Sequence, residues 1–95
     1  MKQPHVYIMA NKRNGTIYIG VTSQLSQRVC QHKMGVISGF TQQYKTHLLI
    51  YYEAHPSMQE AICREKQLKN WKRSWKVNLI ESVNPNWRDL YDELY

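Results

Sequence analysis

The polar residue least at home in this sequence is Glu65. Met58, Ala61, Ile62, Glu65 and Leu68 recur at spacings of three and four, so at about 100° per residue they share one face of a helix, with Glu65 near the middle of an apolar stripe. A carboxylate there needs a partner, because an unpaired charge among apolar groups is costly. Three kinds of partner suit it: an internal cation, Arg28 or a lysine; hydrogen-bond donors; or a bound metal ion. Arg28 and His32 raise the same question, one turn apart on the stripe of Leu25 and Val29 and directed inward or into a cleft. A single histidine on an apolar face is usually a satisfied core group. Five such groups from separate segments, Tyr7, Tyr18, Arg28, His32 and Glu65, outline a site instead. Together they can hold a cation, offset developing negative charge and relay a proton.

The elements that must bring these groups together follow from the patterning. Val6-Tyr7-Ile8-Met9-Ala10 and Thr16-Ile17-Tyr18-Ile19-Gly20-Val21-Thr22 are β-type runs. The turn-rich Asn11-Lys12-Arg13-Asn14-Gly15 joins them as an antiparallel hairpin. If the loop takes residues 12–15, Tyr7 falls opposite Gly20 and both tyrosines face one side; a two-residue Asn14-Gly15 turn would move them apart. From Ser23 a capped helix carries Leu25, Arg28, Val29 and His32 to a stop at Gly35. Residues 36–45, with Gly39, read as a loop. His47-Leu48-Leu49-Ile50-Tyr51-Tyr52-Glu53 is a third strand, apolar enough for a central position in the sheet. Pro56-Ser57 opens a helix through about Asn70, a second helical stretch covers residues 71–83, and Asn84-Pro85 ends it. Residues 86–94 are expected as a last short helix with Trp87, Leu90, Tyr91 and Leu94 as its stripe. The order β-β-α-β-α-α gives an α+β fold, a small three-stranded antiparallel sheet flanked by helices, with residues 1–95 as one domain.

Thirteen Lys and Arg against seven Asp and Glu give a net charge of +6. The excess is uneven: through Ile80 twelve basic and three acidic residues leave +9, and Glu81, Asp89, Asp92 and Glu93 against Arg88 leave −3. A basic field of this kind concentrates polyanions, so nucleic acid heads the list of partners. Residues 64–76 hold Arg64, Lys66, Lys69, Lys72, Arg73 and Lys76 interleaved with Trp71 and Trp75. With Lys33, these cations other than Arg64 form the candidate phosphate-contact set, and the tryptophans are expected in the core. No stretch is long and apolar enough for a signal peptide or a membrane span, so the expectation is a cytoplasmic protein without a membrane partner. Cys30 and Cys63 read as buried free thiols, and with His32 they lack the ligand spacing of structural zinc.

His5-Val6-Tyr7, with ten residues between Tyr7 and Tyr18-Ile19-Gly20, then Arg28 and His32 on one helix and Glu65 on a later one, resemble the GIY-YIG nuclease family over nearly the whole chain. The stretches 14–22 and 64–69 look most like the small stand-alone bacterial members, related to the nuclease module that begins the excision-repair nuclease subunit. His5 and Val6 stand where the first motif has glycine and isoleucine. The resemblance implies an endonuclease that hydrolyses phosphodiester bonds, in DNA ahead of RNA, in repair or recombination. It implies that Glu65 holds Mg²⁺ or Mn²⁺ and that Tyr7, Tyr18, Arg28 and His32 are catalytic. Tyr7 is the first choice of general base, with Tyr18 and His32 competing. Asn70, Asn78 and Asn84 compete for the family's occasional late asparagine ligand. A non-catalytic DNA- or RNA-binding module and a buried Arg28 to Glu65 ion pair are the alternatives.

Overall fold

The structure, a computed structural model, describes residues 2–36 and 43–94. The central part of the expected loop, residues 37–42 with Gly39, lies outside the described residues. The described end of that loop is helical at residues 43 and 44, and Lys45 follows at φ 55°.

Strands β1 (His5–Ala10) and β2 (Ile17–Thr22) form the antiparallel hairpin in the four-residue-loop register. Tyr7 faces Gly20 and Met9 faces Tyr18, so both tyrosines lie on one side of the sheet. Asn11 fixes the loop: its N–H reaches the Thr16 carbonyl at 3.2 Å and its side chain accepts from the Thr16 N–H at 2.9 Å. Asn14 takes the left-handed turn position at φ 59°, which its short polar side chain tolerates.

Strand β3 (Leu48–Ala54) pairs with β1, giving the order β2-β1-β3. β1 is therefore the central strand, not β3 as its uniform apolarity suggested. The reason lies in residues 84–90, which cover the outer edge of β3. Leu90 N–H donates to Leu49 O at 2.7 Å, Leu49 N–H to Asp89 Oδ1 at 3.1 Å, and Asn84 Nδ2 to Ile50 O at 3.0 Å. Sealing that edge buries Leu49, Ile50 and Tyr51, the apolar half of the strand, without making it central. The covering segment is also not the expected helix. Only Tyr91–Leu94 forms a 3₁₀ turn, and Trp87, at φ 56°, packs on one sheet face as Leu90 packs on the other. The apparent helical stripe is divided between two cores.

Helix α1 (Leu25–Lys33) starts after Thr22 Oγ1 accepts the Gln24 N–H at 3.0 Å and ends at Gly35, at φ 70°. It lies over Tyr7, Met9 and Leu49 through Leu25 and Val29. The other face, Val6, Ile8, Ala10 and Ile50, is covered by Ala61 and Leu68 of helix α2 (Met58–Asn70) and Ile80 of helix α3 (Arg73–Val83). Ser57 caps α2, accepting the Glu60 N–H at 3.2 Å. Trp71 is half-buried against this core, but Trp75 is exposed. No described helix is long and apolar enough to cross a membrane.

Candidate active site

The two tyrosines owe their positions to the hairpin register, and Tyr7 also owes its seat to Gly20. A Cβ at Gly20 would stand 2.6 Å from both Cζ and the hydroxyl of Tyr7, so the ring occupies the space that a side chain on β2 would fill. A glycine inside a strand weakens the strand and often marks such a close approach. That signal was present in the sequence and not used. His5, on the same side of β1, turns toward β3 instead: its ring meets Tyr52 edge-on at 6.0 Å and its Nδ1 lies 2.9 Å from Gln3 O. Its bulk is therefore taken up away from Gly20.

Helix α1 brings His32 onto this hairpin. The Tyr7 hydroxyl lies 2.9 Å from His32 Nε2, and the His32 ring sits 5.5 Å from that of Tyr7 and 5.4 Å from that of Tyr18. Burial, reinforced by the Arg28 cation, pushes His32 down to about 4. The imidazole is thus neutral at neutral pH. Burial also raises the Tyr7 phenol well above the ordinary phenol range, helped by Tyr18 and by the negative charge of Glu65, with Arg28 acting in the opposite direction. With phenol and imidazole both neutral, Tyr7 can donate to Nε2 in the tautomer that carries the His32 proton on Nδ1. That Nδ1 is buried and has no partner among the described residues.

Arg28 and Glu65 thus sit close enough to Tyr7 for both charges to act on it, with opposite sign. Arg28 is not buried in the α1 stripe; it is exposed and lines a groove with Thr22, Gln24, Gln27 and Gln31. Glu65 belongs to the line Met58, Ala61, Glu65, Leu68 of α2, which packs against β2 and β1, but unlike Ala61 and Leu68 it keeps part of its surface open. Its side chain is 15% exposed and its ion-pair partner is Lys69 at 3.4 Å. Among the described residues Arg28 and Glu65 form no ion pair with each other, which removes the reading of the cluster as an internal Arg–Glu pair. The carboxylate offers hard oxygen donors suited to Mg²⁺, which commonly takes one or two carboxylates and fills its remaining positions with waters and substrate phosphates. Among the described residues no group of three or more His, Cys, Asp or Glu is gathered to enclose a metal.

The basic set is divided. Lys69 and Lys76 line an open groove with Ile17, Tyr18 and Ile19 that meets the cluster at Tyr18. Lys66 is exposed on α2, and Lys72 lies 5.6 Å from the Trp75 ring centroid. Arg73 instead holds the hairpin loop, donating to Asn14 O at 3.1 Å and Gly15 O at 2.7 Å. Lys33 is occupied elsewhere, paired with Asp89, donating to His47 O at 3.0 Å and lying over the Tyr91 ring. Asn84 is buried and its amide is spent on Ile50 and Arg88, whereas Asn70 and Asn78 are exposed. Cys30 and Cys63 are free thiols, but not the buried ones expected: Cys30 is half-buried and Cys63 is exposed.

Residues 3–78 match the GIY-YIG catalytic domain family. A UPF0213 protein of Staphylococcus haemolyticus is 32% identical over 81 residues, covering 85% of this chain and 98% of its own. A UPF0213 protein of Bacillus pumilus is 28% identical over 86% of this chain and 84% of its own. The solution NMR structure of a UPF0213 protein from Bacillus halodurans superposes with a TM-score of 0.52 at 28% identity, covering 83% of each chain. With the family pattern extending over both tyrosines, the α1 pair and Glu65, the chain belongs to the GIY-YIG catalytic domain family of nucleases.

Proposed function

We propose that the chain is a divalent-metal-dependent endonuclease that hydrolyses phosphodiester bonds, in DNA ahead of RNA, serving repair or recombination in the cytoplasm. One observation carries the reading: two phenols and an imidazole from β1, β2 and α1 converge within hydrogen-bonding and ring-contact distance, and Arg28 and Glu65 place opposite charges around the same Tyr7 hydroxyl. Glu65 is the residue that would hold Mg²⁺ or Mn²⁺. When bound, the cation neutralises phosphate charge and stabilises the leaving oxygen.

The residues supply the rest. Neutral His32 accepts the Tyr7 proton at Nε2 as Tyr7 takes a proton from the attacking water, so the phenol never needs to exist as a free phenolate. The water oxygen then bonds to phosphorus and the P–O3′ bond breaks, leaving a 5′-phosphate and, after a proton from solvent, a 3′-hydroxyl. Arg28 at the groove wall stabilises the charge that builds on the equatorial phosphate oxygens. Tyr18 orients the phosphate, while Lys66, Lys69, Lys72 and Lys76 hold the backbone.

The test is cleavage of end-labelled single-stranded, duplex and branched DNA and RNA. Wild type is expected to cut only with added Mg²⁺ or Mn²⁺, and Glu65→Ala to bind equally well and cut at least about 100-fold more slowly. Equal inertness of both proteins across the panel would leave a nucleic-acid-binding module instead.

A further inference from the structure

We propose that Trp75 is a stacking seat for an unpaired base, so that the substrate class of this site is nucleic acid with a single-stranded segment. The inference rests on the nuclease reading and narrows it. Trp75 lies at the start of α3 with half its surface exposed, 50%. Its ring is braced rather than loose, since Trp71 meets it edge-on at 6.1 Å and 82°. Lys72 lies by the ring, Arg73 and Lys76 flank it in sequence, and no acidic residue occurs in the first turn of α3. An exposed indole among cations on a chain with a basic front matches a polyanion that also presents flat π-faces.

The position relative to the candidate active site supplies the direction. Lys76 follows Trp75 and shares with Lys69 a groove that Tyr18 also lines. A strand whose phosphates follow Lys76 and Lys69 toward Tyr18 therefore passes beside Trp75. Bases of an intact duplex keep their faces stacked inside the helix, so only an unpaired base can stack on the indole. An anionic membrane surface is the competing partner for an exposed tryptophan among lysines, but Val77, Leu79 and Ile80 of α3 already pack on the sheet. Beyond these, Trp75 and Val83 are the exposed large apolar residues of helix α3, too small a patch to insert, and a membrane gives no reason for a basic groove lined by Tyr18.

The experiment measures binding to a single-stranded oligonucleotide and to a blunt duplex in EDTA across a salt series, for wild type, Trp75→Ala and Trp75→Phe. Trp75→Ala is expected to weaken single-strand binding by about 5- to 150-fold and duplex binding by less than about 2-fold, with the salt slope unchanged because no charge is removed. Trp75→Phe should restore most of the loss. Equal losses on both substrates, no loss on either, or a loss confined to phosphatidylglycerol vesicles would overturn the seat. A shift in sedimentation between wild type and Trp75→Ala would assign the indole to contact between two copies and also overturn it. If wild type cuts with Mg²⁺ and Trp75→Ala shows no selective loss, only the seat falls; if wild type neither binds nor cuts, the nuclease reading falls with it.

Discussion

Tyr7 and His32 work as a pair because each keeps the other's proton where the reaction needs it. The imidazole, pushed down to about 4, accepts a proton only while it is neutral, so the rate of cleavage should fall on acidification with its midpoint near 4, far below the ~6.5 of a free imidazole. A pH–rate profile at saturating Mg²⁺ checks this, and an acidic limb centred near 6.5 would contradict it. Stability follows the same sign. The unfolded chain takes up the His32 proton first, so this residue's contribution is complete above about 6.5 and is lost as pH falls from there toward 4. At this scale the five candidate residues stand out in the sequence, three of them because charge or imidazole interrupts an apolar stripe, and the structure brings Tyr7, Tyr18 and His32 into contact. Their exposure was not legible: the periodicity of α1 does not say that Arg28 leaves the core, since an arginine can lay its stem on an apolar surface and put its head in water.

The strands and main helices up to residue 83 were legible, but the place of β3 in the sheet was not, and the pattern left two hairpin registers open until the Asn11 anchor selects the four-residue loop. The last segment was not legible, because its apolar residues at helical spacing go to opposite faces of the sheet. What fixes that segment is side chain to backbone bonding that no periodicity reports. Asn84 donates to Ile50 O at 3.0 Å and Arg88 O at 2.9 Å and accepts from Arg88 N at 3.1 Å, and Asp89 draws Lys33, Leu49 N–H and Tyr91 N–H onto one carboxylate. Those contacts hold the Asp89 carboxyl below the usual range against the opposing effect of burial, which is its largest single influence. Replacing Asn84 by Ala leaves buried backbone groups unpaired, so the expected cost is about 2–3 kcal/mol in urea unfolding. A change under about 0.5 kcal/mol would mean that the strap is not what seals β3.

For the whole molecule, the division of charge seen in the sequence becomes a division of surfaces. Acidic residues of the tail are drawn into pairs with Lys33 and Arg88, while Lys66, Lys69 and Lys72 remain exposed and Lys69 and Lys76 line the Tyr18 groove. Charge reversal at Lys69, Lys72 and Lys76 together should therefore weaken DNA binding and reduce the slope of log K against log salt by about 2–3 in magnitude. An unchanged slope would move the phosphate path to another face. The account depends most on Glu65. Its i, i+4 contact with Lys69 is an exposed-type pair of about 0.3–0.5 kcal/mol, too weak to explain a carboxylate whose side chain is only 15% exposed. The most direct measurement is anomalous diffraction from crystals grown with Mn²⁺ and an uncleavable phosphorothioate oligonucleotide. A manganese peak is expected against the Glu65 carboxylate and a phosphate oxygen; a peak elsewhere, with Glu65 still closed on Lys69, would contradict the assignment of Glu65 as the metal-holding group.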